Sequence, residues 1–126
     1  MLMITSIIFF ASCSKEDVGE NFVITIDNLY APETVTALKD TVNVHLQGYI
    51  GPTDCQVFDR AVFQFSGEKI IVVAVGKDKQ KKGNCKPQES RLDNVVRIII
   101  PYPGVYTFYA LNENDSITAT RQITVN

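Results

Sequence analysis

Tryptophan is absent from this chain and histidine occurs once, at His45. His45 has no second histidine, cysteine or acid at ligand spacing, so a zinc centre or a histidine-based hydrolase has little to stand on, and the residue reads as a solvent-facing strand position. Neither sign of charge prevails. The formal net charge is −2, and the aromatic residues sit in alternating patterns rather than among basic ones, which excludes a nucleic-acid binder. Acids are scattered, as at Asp54, Asp59 and Glu68, whereas a glycosidase needs two carboxyl groups about 5 to 9.5 Å apart across a cleft. No Cys-x-x-Cys pair opens a helix, so redox chemistry has no motif. Helical periodicity of useful length is missing as well. The longest apolar run, near the N-terminus, has about eleven residues, too few to cross a hydrocarbon core that takes about 20 in a helix. These absences point to a chain that is not an enzyme and has no cofactor or metal.

What is there is period-2 alternation. With 126 residues and 45% hydrophobic content the chain has room for one domain with a real core. Strands are expected near 22–26, 35–38, 41–48, 57–65, 69–76, 94–100, 104–112 and 116–125. Asp27, Asn28 and Pro32 split the first of these, because proline lacks the donor that continues a ladder. Val42, Val44 and Leu46 point one way and Asn43, His45 and Gln47 the other, giving a strand with one wet face. Ala61, Phe63 and Phe65 form an inward set, and so do Val96, Ile98 and Ile100. Ile70 to Val75 is apolar on both faces. That pattern means either burial on both sides, under the loop that follows, or an exposed patch for a partner. Tyr106, Phe108 and Ala110 face in while Thr107 and Tyr109 face out. After a polar turn, Ile117, Ala119, Ile123 and Val125 continue the inward set, broken only by Arg121, which either snorkels past the sheet edge or marks a bulge.

Pro103-Gly104 followed by Val105-Tyr106 resembles the tyrosine corner of immunoglobulin-like sandwiches, in which a tyrosine two residues before a core cysteine bonds back to upstream backbone. Here Phe108 takes the cysteine's place. The resemblance implies an all-β, immunoglobulin-like β-sandwich of about seven strands spanning 21–126, with sheets A-B-E and G-F-C-C′. It names no activity, since such sandwiches host unrelated functions.

Upstream, Phe10-Ala11-Ser12-Cys13 closes the apolar run and resembles a bacterial lipobox. Small residues precede the cysteine because the signal peptidase must fit that backbone into its cleft, and the thiol of Cys13 would receive the lipid. Ser14-Lys15-Glu16-Asp17 is similar to the export signal of surface lipoproteins of the Bacteroidetes. The resemblance implies a signal peptide over 1–12, a lipidated cysteine and tether over 13–20, and a cell-surface lipoprotein of the outer membrane held by its N-terminal lipid.

An exported chain meets an oxidising compartment. With Cys13 taken up by lipid, Cys55 and Cys85 remain as an even pair, and a disulfide between them is expected. Closing a loop of about 30 residues stabilises by roughly 3.5 to 4 kcal/mol on the chain-entropy model. Lys77, Lys79, Lys81, Lys82 and Lys86 crowd the loop that holds Cys85, either as a solvated tip or facing an anionic partner such as a polysaccharide or lipid headgroup. Asn112 to Asp115 reads as a hairpin turn and lacks the spaced ligands of a calcium loop. The expected function is a non-enzymatic binding or accessory module, monomeric, with a protein or glycan partner. Its ligand-binding candidates are Tyr49, Lys79, Lys81, Lys82, Asn114 and Asp115 at one pole. The alternative is an assembly subunit that pairs through the doubly apolar strand.

Overall fold

A computed structural model describes residues 21–79 and 84–126. The expected signal, Cys13 and tether, together with Lys81 and Lys82, lie outside those residues. Eight strands make up the fold: β1 (Asn21–Tyr30), β2 (Thr34–Val35), β3 (Val42–Gly51), β4 (Gln56–Ser66), β5 (Lys69–Asp78), β6 (Ser90–Ile98), β7 (Gly104–Leu111) and β8 (Ile117–Val125). Among the described residues there is no helix. The strands bond into one curled, mixed sheet in the order β2-β8-β7-β5-β1-β3-β6, with β4 on the far edge of β5.

The curl comes from β1. Its first residues pair with β5, Asn21 opposite Lys77 and Ile24 opposite Ala74, and its later ones pair with β3, Thr25 opposite Tyr49 and Tyr30 opposite His45. Asp27 is an extra residue at a bulge between those pairings, and a bulge bends and twists the strand that carries it. The expected break at Asp27-Asn28 is therefore a bend within a continuous strand. Resumption at Val35 is only the two-residue β2, parallel to β8. The inner faces of both halves share one core, in which Ile24, Ile26, Val44, Leu46, Ile70, Val72 and Phe108 are essentially inaccessible to solvent.

The all-β expectation holds, and β1-β3-β6 reproduces the A-B-E pairing. The expected order G-F-C-C′ does not hold. It places residues 57–65 beside β7, whereas β5 lies between them, parallel to β7 through Lys69–Thr107 and Val72–Ala110. A parallel pair needs a crossover, and β6 in the other half supplies it. The exchange has a physical cause. β5 is apolar along most of its length and is bonded along both edges, as an interior strand is, while β4 carries Asp59 and Arg60 in the open with a bulge at Asp59, features that suit an edge. The proposed exposed, edge-forming β5 is thus an interior strand.

Arg121 marks no bulge. It stands opposite Phe108 in regular register and sends Nε and Nη2 to the carbonyl of Ala31, at 3.0 and 2.8 Å. The register shift falls at Thr118 instead, which turns Ile117 outward, against the expected inward set. Phe65 also faces solvent, while Ala61 and Phe63 pack on the core as expected. The tyrosine corner closes as its sequence suggests, with the buried Tyr106 hydroxyl donating to the carbonyl of Tyr102 at 2.9 Å.

Candidate functional site

The outer surface of β1, β3 and β6 is a broad polar face. Side chains alternate along each strand, so the pairing register stacks the outward ones in rows. Thr25, Tyr49 and Arg91 form one row, Asn28, Gln47 and Asp93 the next, Tyr30, His45 and Val95 the third, and Asn43 with Arg97 the last. The bulge adds Asp27, exposed beside Asn28. Asp27, Asn28, Gln47, Arg91 and Asp93 line a groove of about 310 Å³ whose floor is the paired backbone at Gly48 and Leu92. Gly48 is required there, since a Cβ at that position would run into the carbonyl oxygen of Thr25.

One bonded cluster occupies the middle of the face. His45 Nε2 lies 2.5 Å from Oδ1 of Asp93, and the same oxygen accepts from Nε2 of Gln47 at 3.3 Å. An ionised carboxylate only accepts, so the imidazole donates through Nε2–H. The His45 bond, helped by that from Gln47, holds the Asp93 carboxyl below its ordinary value. Tyr30 rests beside the imidazole with ring centroids 5.9 Å apart, and Arg91 reaches Glu89 at 3.4 Å.

No protein-family model, curated protein or solved structure matches this chain. The site therefore has to be read from its own chemistry.

Of the residues singled out in the sequence, Tyr49 belongs to this face. Cys55 and Cys85 form the expected disulfide, with Cα atoms 5.5 Å apart. Around it the Lys79 N–H donates to the carbonyl of Cys55 at 2.9 Å, and the Lys86 N–H to Oδ1 of Asp54 at 2.8 Å. The described part of the basic loop is thus tied to the turn before β4, at the pole where β5 ends. The Sγ atoms of Cys55 and Cys85 approach a carboxylate oxygen of Asp54, but the sulfurs are bonded to each other and offer no thiolate for a metal. Asn114 and Asp115 sit in the turn between β7 and β8, at the pole where β5 also ends, because β7 runs parallel to β5. That turn is built by Asn112, whose Oδ1 accepts from the N–H groups of Asn114 and Ser116. The candidates assigned to one site are thus divided among a sheet face, a tied loop and a hairpin turn.

Sequence reasoning missed Tyr30, Asn28, Asp93 and Arg91. The signal for the last two was present. Arg91, Asp93 and Arg97 alternate with Leu92, Asn94 and Val96, and this polar set belongs opposite the wet face of β3. Tyr30 and Asn28 could not be placed, because the bulge at Asp27 changes which parity faces out.

Proposed function

We propose that this chain is an exported, lipid-anchored binding or accessory module, an immunoglobulin-like sandwich that presents the polar face of β1, β3 and β6 to its ligand. The observation that carries the reading is the juxtaposition on one open face of two tyrosines, three amides, two carboxylates and two guanidinium groups around a groove. Convergent polar groups over a concave floor are how proteins orient small or extended ligands. The lipobox-like stretch ending at Cys13, the disulfide suited to an oxidising compartment and the closed tyrosine corner support the address and the fold.

Binding is favoured over hydrolysis by the state of the carboxylates. Asp27 and Asp93 share the groove, but both are exposed, and the lowered Asp93 is the opposite of a proton donor, which needs its pKa raised. The reading is tested by feeding expressing cells an alkyne fatty acid and treating intact cells with protease. Label on wild type but not on Cys13→Ala, with cleavage from outside, is expected. An unlabelled or protected chain removes the address, and a wild-type chain that retains nothing from a panel of polysaccharides, peptides and vesicles removes the binding role.

A second reading, an assembly subunit, rests on the outer face of the other half. Ile71, Tyr109, Leu111 and Ile117 line an apolar groove of about 220 Å³ there, and Val62 on β4 stands beside it opposite Val73. Such a patch on an edge-bearing sheet suits a protein partner. Light scattering that finds a strict monomer at micromolar concentration rules out self-assembly through it.

A further inference from the structure

We infer that the outer face of β1, β3 and β6 binds a neutral oligosaccharide, with Tyr30 and Tyr49 as the surfaces on which sugar rings stack and Asn28, Gln47, Arg91 and Asp93 as hydrogen-bonding groups. The inference rests on the reading of the chain as a binding module and names its ligand class. Charge decides first. On this face Asp27 and Asp93 are matched by Arg91 and Arg97, Arg91 already faces Glu89, and the ion-pairing oxygen of Asp93 is engaged by His45. A polyanion would need a continuous basic track and finds none here, which sets aside nucleic acids and acidic polysaccharides. An extended peptide recognised by strand addition would pair with the outer edge of β6, which is bonded only to β3, and would leave unused the groove over β3, a strand bonded on both sides.

What remains is a ligand without net charge that carries hydroxyls along its rim and a C–H surface on its ring. The face has the matching chemistry. A tyrosine ring is a rigid apolar plate that orders at low entropic cost, and amide, carboxylate and guanidinium groups supply donors and acceptors together, as neighbouring hydroxyls require. Both tyrosines are accessible, Tyr30 at 48% and Tyr49 at 41%. Tyr30 stands beside His45, which is four positions from Tyr49 on β3, so the two rings are about 13 Å apart along the strands. The groove lies between them. That spacing fits a chain of sugars lying along the strands better than a single small molecule.

The test uses the full-length chain in a zwitterionic detergent that has no sugar headgroup, titrated calorimetrically with neutral glucans, xylans and mannans and with acidic pectin and heparin. A neutral polysaccharide should bind, with affinity nearly unchanged between low salt and about 0.15 M, where screening sets in beyond about 8 Å. Tyr30→Ala and Tyr49→Ala should each weaken binding by roughly tenfold or more, as removal of buried aromatic anchors does, and Asp93→Asn should weaken it too. Unchanged thermal unfolding of the tyrosine variants shows that the fold is intact. Binding only of acidic polymers, abolished by salt, overturns the inference, and so does neutral binding that survives both tyrosine substitutions. Retention of a peptide that depends on Tyr49, with no glycan bound, overturns the sugar while leaving the module. If nothing binds at all, both fall.

Discussion

At the scale of single residues, the most informative group is a carboxylate whose partner came from another strand. Asp93 is titratable in the open, and its ordinary value of 3.8 is lowered chiefly by the hydrogen bond from His45 and then by that from Gln47. A carboxyl whose folded pKa lies below its unfolded one adds stability above the unfolded value and loses it as pH falls through the folded value. Carboxyl-detected NMR should therefore place the Asp93 midpoint below 3.8, and His45→Ala should move it upward. A midpoint unmoved by the substitution would mean that the bond does not form in solution. Tyr106 makes a second residue-scale test. Tyr106→Phe keeps the buried ring and deletes only the donor to the Tyr102 carbonyl, which water can reach because Tyr102 is exposed, so the cost should be about 1 kcal/mol in urea unfolding. A neutral result would make the corner a by-product of packing. The corner was legible in the sequence because all its parts lie within a few residues. The partner of Arg121 was not, because the Ala31 carbonyl is ninety positions away and is brought close only by the fold.

Elements follow the same division between local and long-range causes. Alternation gave β3 and β7 their faces, and Val42, Val44, Leu46, Phe108 and Ala110 are all fully buried as that pattern requires, whereas the two-sided apolar run of β5 did not say which residues go inward, which are Ile70, Val72 and Ala74. It failed where an extra residue enters β1 and β8, but not past the bulge of β4, where Ala61 and Phe63 keep their inward face. The bulges at Asp27 and Thr118 change parity, which moved Tyr30 onto the polar face and Ile117 off the core. Strand order was less legible still. Hairpin signals join β4 to β5 but say nothing about which of the two meets β7, and only the two-sided apolar character of β5 hinted at the answer. The disulfide was readable by elimination, and its element-scale consequence can be measured. Cys55 follows the turn before β4 and Cys85 closes a 30-residue span, so the bond holds the basic loop and the start of β6 to that turn. Replacing both cysteines with serine should lower unfolding stability by up to about 3.5 to 4 kcal/mol, less if the hydrogen bonds of Asp54 with Lys86 persist. The expected signature is faster amide exchange at Asp54 and Lys86 before any change in the β7–β8 hairpin. Equal loss across all strands would instead make the bond a global staple.

For the whole molecule the register fixes the pole from which Asn21 enters the sheet. Asn21 pairs with Lys77, so the described chain begins beside the start of the basic loop, while Lys39 and the Gly67 turn with Lys69 lie at the far pole, near Ile99 and Tyr102. If Cys13 carries lipid, a tether of about eight residues reaches at most roughly 26 to 29 Å, which keeps Lys77, Lys79 and Lys86 within touching distance of the headgroups. A lysine close to an anionic surface gains about 1 kcal/mol, and the gain vanishes beyond about 8 Å at physiological salt, so one lipid and one basic loop act together only if the loop stays near the surface. In that orientation β3 stands away from the membrane, with Tyr49 at its near end and Tyr30 farther out, and the polar groove opens sideways to an extended ligand. Amine-reactive labelling of the lipidated chain in vesicles measures this directly. With anionic lipid at low salt, Lys79, Lys81, Lys82 and Lys86 should label more slowly than in zwitterionic vesicles, while Lys39 and Lys69 should not change. Equal rates at both poles in both lipids would show that the domain tumbles freely on its tether and that the loop has no membrane role.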